Sequence, residues 1–215
     1  YMIIKDFLKK YPFVIQNIEN KKFDSACADL IYKYHSNWPI WAIIEVLTFG
    51  DFIKLFQFYY SRYADSEASK INNYLWSVKF IRNAAAHNNC LLNSLRKPYV
   101  HTHLSKNNKI IPTKCLQVSI ANIAKLNKNA KKRVLSNPVT HDFIASLFLF
   151  DLVCKSYPMK CDIYNKLIDL MKVRFLRHKE YFEKDLLLVS SYRFIIKIID
   201  FLNPIVYNTN EEQKS

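Results

Sequence analysis

Residues 38–51 read WPIWAIIEVLTFGD and contain Gly50, the single glycine of this 215-residue chain. Pro39 fits the first turn of a helix, and the apolar run at residues 41–47 predicts a buried helix. Gly50 and Asp51 together predict the end of that helix and the cap of the next one. Because glycines and prolines are scarce, a turn-rich all-β fold is disfavoured. We therefore predict an all-α fold, a helical bundle with additional C-terminal helices.

The scarcity of glycine also restricts the chemistry that the chain can support. The Rossmann fingerprint and the P-loop each need several glycines at fixed spacing, so both common types of nucleotide enzyme are excluded. Half of the residues are hydrophobic and 15% are aromatic, which excludes intrinsic disorder. The formal net charge of +14 predicts a polyanionic partner.

Hydrophobic and polar patterns divide the chain into four regions. The first region is predicted to end with a helix from about residue 71 to residue 95, which follows a polar stretch at 65–70. The regions are a helical core at residues 1–95, a polar and basic connecting region at 96–138, C-terminal helices at 139–207 that pack on the same core, and a polar tail at 208–215.

The cysteines, histidines and apolar segments set expectations for compartment and cofactors. The five cysteines are scattered and form no C-x-x-C pair, and free thiols predict a cytoplasmic location. His101 and His103 have no carboxylate or thiol at ligand spacing, so we predict no metal and no cofactor. The most apolar segments, residues 39–60 and 143–154, are either interrupted by charged residues or too short to span a bilayer. We therefore predict no membrane partner.

Residues 80–89 read FIRNAAAHNN and hold the strongest candidate for a chemical site. Asn83 and His87 are four residues apart and would share one face of a helix, with Arg82 beside them. An imidazole exchanges a proton near neutral pH, and a guanidinium pairs with phosphate oxygens. These groups suit metal-free cleavage of RNA, in which the ribose 2′-hydroxyl is the nucleophile. The motif alone is weak, and it favours the alternative of a hydrogen-bonded core histidine at His87 and a surface cation at Arg82.

Two ordered segments resemble one known family. Residues 81–88, IRNAAAHN, resemble the RN-x-x-AHN signature of bacterial abortive-infection (Abi-like) proteins, which belong to the HEPN ribonuclease superfamily. Residues 38–51 are similar to the family's P-x-W-x-x-x-E-x-x-(S/T)-F-G segment. Residues 171–182 and 191–202 resemble its C-terminal helices more loosely. The resemblance thus extends over most of the chain.

The resemblance implies an all-α HEPN fold that forms a homodimer and acts as a metal-independent endoribonuclease in anti-phage defence or toxin–antitoxin growth arrest. It implies that Arg82 and His87 are the catalytic pair and that Asn83 orients them, in a composite cleft between two copies. Glu45 and Asn88 occupy supporting positions; Glu45 is expected either to pair with a cation such as Arg82 or to face solvent. A small-RNA or protein antitoxin is a further partner that the family implies.

Family members carry further helices before the tryptophan–proline segment, so we expect the N-terminal part of the family's domain to be missing from this chain. Basic residues outside the motif are candidates for RNA binding, although such a basic run also suits a solvated helix face. An alternative function is that of a non-catalytic RNA-binding or regulatory protein with the same fold. The RNA-binding candidates are Lys79, Arg96, Lys128, Lys131 and Lys132.

Overall fold

A computed structural model describes residues 2–23, 26–34, 37–91, 95, 114–121, 123, 129 and 134–204. Within these residues the chain forms ten α-helices and no β-strand, which confirms the predicted all-α fold. None of these helices is both long enough and apolar enough to cross a membrane. The helices are α1 (Met2–Lys10), α2 (Pro12–Glu19), α3 (Ala28–Tyr34), α4 (Ile40–Val46), α5 (Phe49–Arg62), α6 (Ser66–Ala86), α7 (Lys114–Ala121), α8 (Pro138–Val153), α9 (Tyr157–Ile168) and α10 (Leu186–Leu202).

Internal contacts divide the chain into two compact units, Tyr1–Asn72 and Asn73–Ser215. The predicted regions with boundaries at residues 95 and 138 stay a prediction. In the first unit, helices α1 to α5 share one hydrophobic core, and Phe7 of α1 and Phe58 of α5 have their ring centroids 5.7 Å apart within it. The buried members of this core are Ile4, Phe7, Val14, Ile18, Ile31, Trp38, Ala42, Ile43, Val46, Leu55 and Phe58.

The start of α5 differs from the sequence prediction. Gly50 and Asp51 do not separate two helices, because both lie in the first turn of α5. The N-cap is Thr48, whose Oγ1 accepts a hydrogen bond from the Asp51 backbone nitrogen at 3.1 Å. The same hydroxyl donates to Asp51 Oδ2 at 2.7 Å, so Thr48 and Asp51 are joined by two hydrogen bonds at the start of the helix. A threonine at N-cap explains the helix start without a glycine.

Helix α4 is buried on one face only. Ala42, Ile43 and Val46 are fully buried, whereas Trp41 is 53% exposed and Glu45 also faces solvent. The prediction of a wholly buried helix is therefore wrong. Glu45 faces solvent, which is the second of the two arrangements expected for it. Because its carboxylate is not buried, it does not need a cation as a partner.

Helix α6 is placed earlier in the chain than predicted. It begins at Ser66, where Asp65 Oδ1 accepts from the Ala68 backbone nitrogen at 2.7 Å, so the polar stretch at 65–70 is its first turn. It ends at Ala86 rather than continuing to residue 95. A polar segment can form the first turn of a helix when a good N-cap precedes it. Hydrophobic spacing alone does not reveal such a start.

In the second unit, α8 packs against α10, and each starts at a side-chain cap. Asn137 Oδ1 accepts from the first backbone nitrogens of α8, and Asp185 Oδ1 does the same for α10. Between α9 and α10 the chain leaves α-helical geometry. It forms a π-helical segment at Asp169–Arg174 and a 3₁₀ segment at Phe175–Tyr181.

Candidate functional site

Helix α6 ends in a Schellman motif immediately after the three alanines. The Asn88 backbone nitrogen donates to the Ala85 carbonyl at 3.2 Å, and the Asn89 nitrogen donates to the Ala84 carbonyl at 2.9 Å. Asn88 has a φ of +51°, in the left-handed region that this motif requires. Asparagine is the residue that best replaces glycine there, in a chain with one glycine. Asn88 therefore has a defined backbone role: it stops the helix directly after His87.

Arg82 and Asn83 are brought together at this end of α6. The Arg82 Nη1 atom donates to Asn83 Oδ1 at 3.1 Å. Arg82 is exposed and Asn83 is half-buried, so the guanidinium is held by its neighbour while it stays open to solvent. An exposed guanidinium with one amide contact keeps further N–H groups with which it can bind an anion.

His87 is exposed at the helix cap, which rules out the reading as a buried core histidine. Its backbone nitrogen closes the last helical turn by donating to the Asn83 carbonyl at 3.0 Å. In the described part of the chain, nothing hydrogen-bonds its imidazole. On an ideal helix, His87 lies about 40° from Asn83 but about 140° from Arg82. The Arg82 and His87 side chains thus start on different sides of the helix, although the guanidinium turns towards Asn83.

The same face of α6 carries Trp76, which sequence reasoning missed. Trp76, Lys79, Asn83 and His87 follow one another at three- and four-residue steps along one side of the helix, opposite the buried Tyr74. The Lys79 ammonium lies 4.7 Å from the centroid of the Trp76 ring. The step pattern that links Trp76 to the motif was visible in the sequence, and it could have identified this residue.

Of the other predicted site residues, Glu45 lies in the first unit, and the rest lie outside the residues that the structure describes. Glu45 lies in the first unit on α4, where its backbone carbonyl accepts a weak contact from Cys27 Sγ at 3.8 Å. Predictions that fall outside the described residues concern His101, His103, Arg96, Lys128, Lys131 and Lys132.

A second histidine of the same unit lies in the core. His141 and Asp142 of α8 are both buried, and His141 Nδ1 lies 3.0 Å from Asp142 Oδ1. This buried contact gives His141 a structural role in the core. Among the described residues, no three histidine, cysteine or acidic side chains are grouped as a metal ion would require.

The end of α6 thus offers four kinds of chemistry on an accessible surface: a flat aromatic ring, two cations, an amide and an imidazole. Stacking, phosphate pairing and proton transfer need these groups. The three alanines beside them are half-buried or exposed, and their small side chains leave space for another molecule to approach the helix closely.

Residues 4–93 match the family model of the Abi-like proteins. The match includes both segments that carry the resemblance, residues 38–51 and 81–88, whereas residues 94–215 lie outside it. No curated protein and no solved structure gives a significant match. Over residues 4–93, less than half of its length, the chain is thus similar to the Abi-like protein family.

Proposed function

We propose that the protein is a metal-independent endoribonuclease of the HEPN type and that it acts in abortive infection or toxin–antitoxin growth arrest. The proposal rests on one observation above all: Arg82, Asn83 and His87 lie accessible at one helix end, in the part of the chain that matches the Abi-like family. An RNA chain could not reach a motif that was buried in the core.

The reaction that these groups suit is an internal transfer at an RNA phosphodiester. The His87 imidazole accepts the proton of a ribose 2′-hydroxyl, and the 2′-oxygen attacks the adjacent phosphorus. The bond from phosphorus to the 5′-oxygen breaks, and that oxygen leaves with a proton from an imidazolium. The products are a 2′,3′-cyclic phosphate and a 5′-hydroxyl. Arg82 pairs with the phosphate oxygens while negative charge grows on them.

The angular spacing of Arg82 and His87 on α6 supports a site formed by two copies of the chain. Because the Arg82 and His87 side chains start about 140° apart on an ideal helix, we infer that the guanidinium and the imidazole that act on one phosphate come from different copies. Two copies of α6 that meet at Ala84–Ala86 would place the guanidinium of one copy near the imidazole of the other. Alanines suit this contact because they let helix backbones approach closely.

Trp76 and Lys79 extend the proposed site along α6. A nucleobase that stacks on an indole ring gains about 1–3 kcal/mol, and a neighbouring ammonium attracts the phosphate backbone. The Lys79 ammonium already lies against the Trp76 ring, so a bound nucleotide would meet both groups together.

Cleavage of a defined RNA in EDTA tests the proposal. We expect the wild-type protein to leave fragments that end in a 2′,3′-cyclic phosphate, and to leave intact an RNA with 2′-O-methyl groups throughout. His87→Ala should lower the rate by about 10²–10⁴ because the proton carrier is lost. His178→Ala is the matched control, since His178 is also exposed but lies on the 3₁₀ segment, outside the proposed site.

Two outcomes contradict the proposal. If His87→Ala cleaves RNA as fast as the wild type, the imidazole is not the proton carrier. If the wild type binds RNA and never cleaves it, the alternative applies, namely a non-catalytic RNA-binding protein with the same fold. Expression in a bacterial host adds a cellular readout: growth arrest by the wild type that His87→Ala abolishes supports the defence role.

A further inference from the structure

A groove of about 570 Å³ lies in the second unit, beside the turn that joins α8 to α9. Its walls are side chains from the end of α8, the start of α9 and the end of α10, together with one residue of α7. Each described residue that lines it lies beyond residue 93, outside the segment that matches the Abi-like family. The groove is therefore a different feature from the candidate RNA site on α6.

The turn between α8 and α9 brings positive charge to the groove. The Lys160 ammonium donates to the Asp151 backbone carbonyl at 2.8 Å and to Asp151 Oδ1 at 2.6 Å, which holds it in place. Lys155 also lines the groove, but it is exposed and has no hydrogen-bond or ion-pair partner within the described residues. Two lysines against one aspartate leave an excess of one positive charge, so a ligand that carries a negative group is favoured.

The end of α10 brings apolar surface to the same groove. Phe201, Leu202 and Pro204 line it from this side, and Phe148 adds a second phenyl ring from α8. Phe148 and Phe201 are half-buried, so part of each ring remains accessible in the groove. A planar ring that packs against these side chains covers hydrocarbon surface that water would otherwise contact, and this favours binding.

The size of the groove restricts the ligand further. An apolar protein cavity of about 150 Å³ takes up one benzene molecule, so the much larger groove has room for several linked groups. Its volume also falls within the roughly 300–1,000 Å³ that small-molecule sites occupy. A small inorganic anion would leave the apolar wall uncovered, and a purely apolar molecule would leave Lys155 without a counter-charge. The groove therefore suits a molecule with both a ring and an anionic group.

We propose that this groove binds one nucleotide, with the phosphate on Lys155 Nζ and the base against Phe148 and Phe201. The phosphate supplies the negative charge that the two lysines attract, and the base supplies a flat ring for the phenyl side chains. The Asp151 carboxylate is 38% exposed in the groove, where it accepts a hydrogen bond from an amino group of the base. A free nucleotide and one unit of an RNA strand have this chemistry in common.

Adenosine monophosphate is the first probe, titrated into the whole chain while the methyl resonances of Leu202 are followed by NMR. We expect saturable shifts. Adenosine lacks the phosphate and ribose 5-phosphate lacks the base, so each should bind at least about 10-fold more weakly. All three ligands are compared on the wild-type protein, so this part of the test does not depend on the folding of a variant.

The variant Lys155→Gln tests the cation. Because Lys155 is exposed, its replacement should leave the fold intact, weaken binding of adenosine monophosphate by about 3- to 10-fold and leave adenosine binding unchanged. Lys166→Gln is the matched control, since Lys166 is an exposed lysine of α9 that does not line the groove. It should change neither affinity.

A tetra-adenylate strand with 2′-O-methyl groups throughout distinguishes the two sources of the nucleotide, because the proposed ribonuclease reaction cannot cleave it. Saturable Leu202 shifts with both the strand and adenosine monophosphate support the proposal and identify the groove as a contact for RNA. Shifts with adenosine monophosphate alone also support it and identify a site for free nucleotides.

Three results would overturn the proposal. Absence of saturable Leu202 shifts with adenosine monophosphate removes the site. If adenosine or ribose 5-phosphate binds as tightly as adenosine monophosphate, the phosphate or the base makes no contact in the groove. Equal affinity of Lys155→Gln and Lys166→Gln for adenosine monophosphate removes the cation from the site. None of these readouts depends on RNA cleavage, so they are independent of the proposed ribonuclease activity.

Discussion

Asn88 shows how one residue can serve a motif through the backbone. Asn88 is the last residue of the RN-x-x-AHN pattern, which suggests a role for its side chain in the reaction. Its φ of +51° instead identifies it as the position at which α6 terminates. The two Schellman hydrogen bonds meet there, and the exposed His87 directly precedes it. The sequence identifies Asn88 as a position of the motif, but a sequence pattern does not distinguish a side chain that reacts from one that tolerates a left-handed backbone.

Substitutions at Asn88 should follow backbone preference rather than side-chain chemistry. Asn88→Gly should unfold at the same urea concentration as the wild type or at a slightly higher one, because glycine adopts positive φ without strain. Asn88→Val should lower the free energy of unfolding by about 1–3 kcal/mol, since a β-branched residue is strained there. Equal stability of the two variants in urea unfolding would contradict this assignment.

At the scale of helices, a buried carboxylate joins α2 to α5. Asp51 accepts hydrogen bonds from Asn17 at 3.2 Å and from Thr48 at 2.7 Å, and it pairs with Lys54 at 3.1 Å. Burial by itself raises the pKa of the Asp51 carboxyl, but the hydrogen bonds and the Lys54 charge outweigh it and hold the pKa below its ordinary value. The ionised form is therefore the one that the fold stabilises.

Loss of this carboxylate should have a clear pH signature. A carboxyl whose pKa is lower in the folded state stabilises the fold above its unfolded pKa of about 4, and this contribution vanishes as pH falls through the folded pKa. Asp51→Asn should thus be less stable than the wild type at neutral pH, and the difference should narrow below about pH 4. Asp162→Asn, which alters an exposed ion pair with Lys166, should show almost no difference at any pH. A wild-type advantage that is independent of pH would contradict the role given to Asp51.

The helices themselves were more predictable than their ends. Helical spacing of apolar residues identified the all-α fold and the approximate positions of α4, α5, α8 and α10. Boundaries failed where a polar side chain decided them, as at Thr48 and Asp65, because capping depends on backbone geometry that hydrophobic spacing does not encode. The departure from α-helical geometry at Asp169–Arg174 left no trace in the pattern, since a π turn uses the same residue types.

At the scale of the whole molecule, the net charge and the exposed alanines are the features on which the proposed dimer and its proposed RNA substrate depend. The net charge of +14 favours a polyanion, and the affinity for RNA should fall as salt concentration rises. The expectation of a polyanionic partner rests on composition alone and stays a prediction. The sequence did not reveal the hydrogen bond from Arg82 to Asn83, because residue spacing does not determine side-chain rotamers.

A bulky charge at the alanine surface should separate two copies if they meet there. Ala85→Arg is expected to reduce the mass seen by light scattering from a dimer to a monomer and to abolish RNA cleavage, because like charges face each other across the contact. Ala85 is exposed, so the helix content in circular dichroism should not change. Ala64→Arg alters another exposed alanine in the first unit and should leave the dimer intact. A dimeric, active Ala85→Arg protein would show that this surface is not the contact.

The three tryptophans of the chain lie in three different surroundings. Trp38 is buried in the core of the first unit, Trp41 is 53% exposed on α4, and Trp76 is partly covered by the Lys79 ammonium on α6. Indole emission depends on its surroundings, so replacing Trp38 and Trp41 by phenylalanine would leave one fluorophore beside the candidate site. The protein thereby contains its own optical reporter of events at α6, and no label need be attached near Arg82 or His87.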